Sequence, residues 1–576
     1  MKKLAFVLAL IALAGCSSYP DYPVTEKAHS FPELNEALRG TAPPVAQGVT
    51  SDRIRNARSE PQNWLTYYGA YDGQRFSALD QINRGNVRQL RPAWNFQFAP
   101  IGVMANPATY AFEAAPIVVD GVMYVSGWDG YVWALDAVTG DRLWQYQHMI
   151  PIDTPLCCGN VNRGVAVANG RVYFATQNGY LVALDATNGK MVWQTAFADV
   201  RAGESATAAP LVVKNLVIAG SSGGEYGVRG HLDAFDATTG QRVWRRYTIP
   251  RPGEPGSDTW PGDSWERGGG TTWVTGTYDP ELDLLYWGTG NPGPLFDDGP
   301  RRGPNLYTNT VLALDPDDGT LRWHYQFTPG DVWDYDGVNE NILFEQDGRK
   351  LLAHFDRNGY LYILDRTNGR PVRVTRFGDR VTWGEVSEAG DAFRPRLRPT
   401  REGTVICPGP AGAKEWVHAA YSRTTGLLYV PIIDACATFR LVPTPYREGM
   451  FYLGGDADVL RHEQMGTVKA IDPATGREVW RWKGEQPMVA SMLATAGGLV
   501  FTGEPNGKFN AWDARTGEVL WQYQTGNGIH SNPVTYSVNG KQYIAVPTGW
   551  GGWLEGFAPE MLGAPRGTSL YVFALP

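Results

Sequence analysis

Four absences narrow the reading before any motif is weighed. The 576 residues hold only five cysteines and no Cys-x-x-Cys-His, which excludes a covalently attached c-type haem. No clustered basic surface is encoded: 51 Lys and Arg stand against 59 Asp and Glu, a formal charge of -8, so the footprint of a nucleic-acid partner is missing. Long apolar runs are missing beyond Leu4 to Leu13, and that one is too short to span a membrane permanently. Long amphipathic helical patterns are missing as well, whereas 68 Gly and an aromatic content of 12% favour short strands and tight turns.

What is present begins with a leader. Met1-Lys2-Lys3, the apolar stretch and Ala14-Gly15-Cys16 describe a secretory signal over residues 1–15, and Leu13-Ala14-Gly15-Cys16 reads as a bacterial lipobox. Cys16 is therefore expected to be diacylated and to become the new N-terminus, since several acyl chains anchor stably where one does not. Ser17 rather than Asp follows it, which is the outer-membrane sorting pattern. The expected location is periplasm-facing, on the outer membrane of a Gram-negative bacterium. Loss of residues 1–15 removes Lys2 and Lys3 and leaves 49 basic against 59 acidic side chains, a charge of -10. Residues 16–55, rich in Pro, Ala and polar types, read as a flexible lipid-anchored tether, and 56–576 as one folded domain.

Export places Cys157, Cys158, Cys407 and Cys436 in an oxidising compartment, where three pairings are open. A bridge between the adjacent Cys157 and Cys158 would close an eight-membered ring. It would stabilise little, because almost no loop is closed, but it would present a rigid, polarisable face suited to a planar ligand.

One phrase recurs seven times. It runs Ala134-Leu135-Asp136, Thr139-Gly140, Trp144, and returns around Asp185 (Gly189, Trp193), Asp236 (Gly240, Trp244), Asp315 (Gly319, Trp323), Asp365 (Gly369), Asp472 (Gly476, Trp480) and Asp513 (Gly517, Trp521). Physically this is a strand entering a tight turn: Asp accepts turn amides, Gly takes positive φ, and Trp packs on a neighbouring unit. Spacings of about 40–50 residues, with two longer gaps, predict four-stranded blades arranged radially. The stretch Leu570 to Leu575 is one more strand without a turn, expected to pair between Trp64 and Phe98. The predicted fold is all-β, an eight-bladed β-propeller with tryptophan-docking repeats, closed by N- and C-terminal strands.

Several polar residues lie outside the phrase, and packing does not require them. They are Glu113, Arg163, Thr207, the run Ser222-Gly223-Gly224-Glu225, Thr271 and Trp273 after three glycines, Asn291, Asp334, Asp336 and Arg357. In a propeller, corresponding strand ends converge on the central channel. Glu225, Asn291, Asp334 and Asp336 would there offer hard oxygen donors to one cation taking six or more ligands. Singly, each carboxylate is as well explained by solvation or turn capping; the set is not.

These motifs in this order resemble the quinoprotein alcohol dehydrogenases, propellers that bind pyrroloquinoline quinone (PQQ) with a metal ion. The likeness runs from Trp64 to the C-terminus. It implies that Cys157 and Cys158 are bridged and sandwich the cofactor against Trp273, and that Cys407 is bridged to Cys436. Glu113, Arg163, Thr207, Ser222, Gly223, Gly224 and Thr271 would hydrogen-bond the cofactor, and Glu225 and Asn291 would bind the metal beside Asp334. Asp334 would be the general base and Arg357 would sit at the reactive carbonyl. The implied reaction oxidises a primary alcohol to an aldehyde by hydride transfer, with electrons passed to a soluble cytochrome c or another periplasmic acceptor.

Asp336 stands two positions past the base, where calcium-dependent members carry a small residue. The Trp-Asp-Tyr-Asp pattern is similar to members that use lanthanides, so one lanthanide(III) ion is expected in preference to Ca2+, with Asp336 as a further ligand. The chain departs from the family at Glu415, where relatives tend to carry an Asn contacting the cofactor. An acid there would repel a tricarboxylate unless protonated or paired with Lys414 or the metal. Two alternatives remain open on sequence alone: a non-enzymatic outer-membrane propeller scaffold, and a degenerate PQQ sensor. Trp550-Gly551-Gly552-Trp553 and the insert between Asp365 and Asp472 are expected to shape the channel mouth.

Overall fold

Each repeat phrase folds as its chemistry dictates. In the first copy Tyr131–Asp136 pairs antiparallel with Arg142–Gln147, and Asp136 Oδ1 accepts the N–H groups of Val138 and Thr139 at 2.8 and 2.9 Å. Gly140, at φ 79°, donates its N–H to the Asp136 carbonyl. This turn is also the seat for a tryptophan from the neighbouring sheet. A Cβ on Gly140 would lie 2.5 Å from Trp94 Cε3, so only glycine admits the indole.

The computed structural model describes residues 40–98, 112–151, 153–552 and 567–576. Within them the chain is almost wholly β. Eight sheets of four or five strands follow one another along the chain, with two smaller sheets of two and three strands. The docking repeats from sheet to sheet: Trp144 on Gly189, Trp193 on Gly240, Trp244 on Gly319, Trp323 on Gly369 and Trp480 on Gly517. Trp144, Trp244 and Trp480 also donate their indole N–H to the carbonyl just after the seat's turn Asp, at Ala186, Pro316 and Ala514. The copy at Asp365 lacks a tryptophan, and there Thr375 covers Gly476.

The last sheet joins both ends of the chain. Arg91–Gln97 pairs with Thr568–Ala574, which pairs in turn with Lys541–Gly549. Trp521 of the preceding sheet donates to the Leu90 carbonyl, and Trp94 of this last sheet docks onto the first, donating to the Ala137 carbonyl. The expected pairing of the final strand is therefore present.

A segment not foreseen from the sequence crosses the edge strands opposite the tryptophans. Trp64 pairs with Val118, the Tyr71 hydroxyl donates to the Val212 carbonyl, and the Tyr278 N–H reaches the Tyr71 carbonyl. Asp72 accepts from Leu343 N–H, Gln74 from Tyr421 N–H and Arg75 from Ala494 N–H. The guanidinium of Arg75, fully buried, donates to the carbonyls of Met492 and Pro533. Trp64 to Arg75 thus touches seven of the eight larger sheets or the turns entering them.

Part of the stretch expected as tether is folded. Signal, Cys16 and the chain through residue 39 lie outside the described residues, but 40–55 is folded. Pro44–Gly48 and Ser51–Arg55 are short helices that bury Ala46 and Ile54, and Asn169 and Gly170 donate N–H groups to Val49 and Ala46. Apolar Ala42, Ala46, Val49 and Ile54 supply the buried contacts that a solvated tether would lack.

Candidate active site

At one end of the sheets the connecting loops enclose a cavity of about 700 Å³. Cys157 and Cys158 form part of its wall, bridged to each other, and Cys407 is bridged to Cys436. Thr207, Ser222, Gly223, Glu225, Trp273, Asp334, Asp336, Arg357 and Glu415 line the same space. Loops of different sheets bring them there: Thr207 precedes Leu211–Val213, Trp273 precedes Thr277–Asp279, and Arg357 follows Arg349–Phe355. Asp334 lies in the connection leading to Ile342–Gln346.

Arg163 organises one half of the cavity. Its guanidinium meets Glu113 Oε2 at 2.9 Å and donates to Thr207 Oγ1 at 2.6 Å, while Thr207 Oγ1 lies 3.0 Å from Ser222 Oγ. Its cation lies over the rings of Trp273 and Trp416, at 4.8 and 4.6 Å. Glu113, Gly224, Thr271 and Asn291 stand behind the wall rather than in it. Gly224 packs between Thr271 Oγ1 and Asn291 Oδ1, which a Cβ there would meet at 3.3 and 3.5 Å.

Negative charge gathers in the other half. Asp336 Oδ1 accepts the Asn291 N–H, and its other oxygen lies 3.4 Å from Arg357. Asp334, at φ 70°, approaches Arg357 to 3.7 Å and gives that guanidinium a carbonyl at 3.1 Å. Burial, augmented by the charge of Asp336, pushes the Glu225 carboxyl up to about 7. Burial also raises Asp334 and Asp336, against the pull of Arg357. Behind this loop Asp331 accepts the N–H groups of Trp333 and Tyr335 at 2.9 and 3.0 Å, fixing the turn that presents Asp334.

Of the ways open to Glu415 from the sequence (protonation, Lys414 or the metal), Lys414 is not the partner it takes. Lys414 binds Glu340 at 2.7 Å, both wholly buried, and Glu415 pairs with Arg357 instead. The physical reason is competition: Glu340 also receives the Ala419 N–H and faces His418, so it is the better-equipped partner for the ammonium. The insert between Asp365 and Asp472 builds a three-stranded sheet of Thr404–Ile406, Cys436–Leu441 and Gly455–Leu460, and Phe451, Leu453 and Val459 from this region close the cavity. Sequence reasoning assigned the insert to the mouth but not these residues. Trp550 is buried beside His530, and Trp553 lies outside the described residues.

A family model described as "PQQ: Glucose/ethanol/alcohol dehydrogenase, beta-propeller domain" matches residues 64–376 and 483–544. The chain belongs to the PQQ-dependent alcohol dehydrogenases. This dehydrogenase is 39% identical over 564 residues to quinoprotein alcohol dehydrogenase PedH of Pseudomonas putida, covering 92% of this chain and 93% of that one. It is 39% identical over 592 residues to a lanthanide-dependent methanol dehydrogenase of Methylacidiphilum fumariolicum, covering 91% and 94%. Among solved structures, a europium-containing methanol dehydrogenase superposes with a TM-score of 0.85 at 38% identity, covering 91% of this chain and 100% of that one.

The dehydrogenase's own residues fit both PQQ and an ion. A bridged cysteine pair and an indole line one space beside Arg163, a buried cation able to meet carboxylates. Among the described residues no three His, Cys, Asp or Glu side chains form a ready-made metal cluster. The candidate donors include an amide instead: Asn291 Oδ1 is buried with no hydrogen-bond partner, beside carboxylates that share the single guanidinium of Arg357. An oxygen orphaned in a negatively charged pocket suits a hard cation.

Proposed function

We propose that this dehydrogenase oxidises a small primary alcohol to its aldehyde in the cavity between the bridged Cys157–Cys158 pair and Asp334. The observation carrying this reading is the presence, in one cavity wall, of that bridge, Trp273, Glu225, Asp334, Asp336 and Arg357. When bound, PQQ supplies a quinone carbonyl that accepts hydride, and the ion supplies Lewis acidity. Asp334 removes the hydroxyl proton, placed for it by the loop that Asp331 fixes. Arg357 holds positive charge beside the reacting atoms. Arg163, Thr207, Ser222, Gly223, Gly224, Thr271 and Glu113 orient the cofactor's polar edge. Trp273 and the bridge confine its faces, and Phe451, Leu453 and Val459 limit water.

Glu225, Asn291, Asp334 and Asp336 hold the ion. A lanthanide(III) is the preferred occupant over Ca2+, supported by the extra carboxylate of Asp336 and by the likeness to lanthanide-dependent relatives. Electrons leave for a separate cytochrome c-like acceptor. The scaffold reading leaves this constellation without a purpose, and the sensor reading rests on Glu415 alone. We infer also that the eight larger sheets are the blades of one ring, supported by the circuit of docking contacts that returns from Trp94 to Gly140. The proposed setting is the periplasmic side of the outer membrane, anchored through lipid on Cys16.

Reconstitution of the purified protein with PQQ and either La3+ or Ca2+, followed by dye reduction with ethanol, tests the proposal. Turnover dependent on both PQQ and an ion is expected, with La3+ the more effective. Absence of turnover with either ion would leave the alcohol-oxidising role without support, and activation by calcium alone would reverse the ion assignment.

A further inference from the structure

Three carboxylates compete for Arg357. The guanidinium stands 3.7 Å from Asp334 Oδ2 and 3.4 Å from Asp336 Oδ2, and it forms an ion pair with Glu415 Oε1. Glu415 is 1% exposed and firmly placed: its second oxygen accepts the Trp416 N–H at 2.5 Å, and its carbonyl accepts from Lys414 Nζ at 3.3 Å. Lys414 spends its charge on Glu340 at 2.7 Å, so the side chain of Glu415 answers to Arg357. The rest of this loop holds the same arginine. Pro410 offers its carbonyl at 3.4 Å, and at Gly412 a Cβ would lie 2.5 Å from Arg357 Cβ.

We propose that Glu415 is a positioning residue that draws the charge of Arg357 away from Asp334 and Asp336 and thereby sets the ion site's preference for trivalent over divalent cations. The inference rests on the ion site proposed above. Glu225, Asp334 and Asp336 with Arg357 carry a formal charge of -2; with Glu415 the same group carries -3. A trivalent ion gains more from the added carboxylate than a divalent one, in proportion to charge, and the interaction is weakly screened because the group is buried.

Glu415→Gln tests this, because it keeps the side chain's length and an acceptor for the Trp416 N–H while removing the charge. The readout is binding: Tb3+ affinity from luminescence sensitised by the cavity indoles, and Ca2+ affinity from calorimetric titration, both on PQQ-loaded protein. The ratio of Tb3+ to Ca2+ affinity is expected to fall about tenfold, the size of one unit-charge interaction across roughly 12 Å at an effective dielectric of about 20. Glu415→Asp is expected to restore the ratio in part. A ratio unchanged within about twofold, with both ions still bound, overturns the proposal and leaves the ion site standing. Wild-type protein that binds neither ion overturns the site itself. Should Glu415→Gln not fold, Arg357→Gln removes the opposing cation; a raised ratio supports the proposal, and a fall or no change overturns it.

Discussion

Asp334 combines a demanding backbone with a demanding task. Its φ of 70° lies in a region that non-glycine residues seldom adopt, and Asp331 holds the loop that imposes it. Asp334→Asn keeps the shape and loses the ability to take a proton. Turnover is expected to fall roughly 10²–10⁴-fold while PQQ remains bound, measured by dye reduction alongside the cofactor's absorbance. Near-normal turnover would remove Asp334 as the base. At this scale the sequence is legible where partners sit within one short motif, as at Cys157-Cys158 or Asp334-Tyr335-Asp336. It is illegible where partners are distant. Glu415 is visible as an anomaly, but Arg357 lies 58 positions away and Glu340, which takes Lys414, lies 74 positions from it. Nothing local decides which cation each acid receives.

Among elements, the tryptophan and its glycine seat form the joint between sheets. Trp144 is fully buried, and at Gly189 (φ 68°) a Cβ would stand 2.7 Å from its ring. Trp144→Ala is expected to cost about 3–5 kcal/mol. Gly189→Ala is expected to cost about 1–3 kcal/mol through overpacking and strain. Both are read from the midpoint of chemical denaturation, and values within error of wild type would show that the joint is dispensable. The two bridges should behave oppositely. Cys407 and Cys436 are 29 positions apart, and their removal is expected to lower stability by about 3–4 kcal/mol on loop-closure grounds. Removing the adjacent pair should barely move the melting temperature yet weaken PQQ binding in a calorimetric titration; a large thermal loss with intact affinity would assign it a structural role. The joints are legible because Asp, Gly and Trp recur at fixed offsets. The three-stranded sheet over the cavity is not, since Phe451 and Leu453 belong to no repeat.

Across the whole molecule, three wholly buried imidazoles are held neutral. Burial pulls His418 down to about 4 and His354 and His530 down to about 3, outweighing the nearby Glu340 in the first two and reinforced by Arg163 in the third. The sign follows from linkage: below the ordinary histidine value of 6.5, the unfolded chain takes up protons that the folded interior refuses. This contribution is complete above about 6.5 and is lost as the pH falls toward 4, while the buried carboxyls of Glu225 and Asp331, raised to about 7 and about 6, work in the opposite direction. A stability gap between wild type and His530→Gln that stays constant from pH 7 to 4.5 would contradict this. The alternation of repeats makes the all-β plan legible from sequence. The crossing segment is not, because Tyr68, Tyr71 and Arg75 direct their polar groups to carbonyls 207, 141 and 417 positions away.

That crossing segment, together with a closing strand shared by both termini, also dictates an order of events. A ribosome delivers Arg75 early, yet its acceptors at Met492 and Pro533 emerge only near the end of synthesis, and Arg91–Gln97 must wait for Thr568–Ala574. Long-range closure of this kind is entropically slow. The newborn polypeptide therefore cannot lock its first sheets into place before the strand Thr568–Ala574 is made.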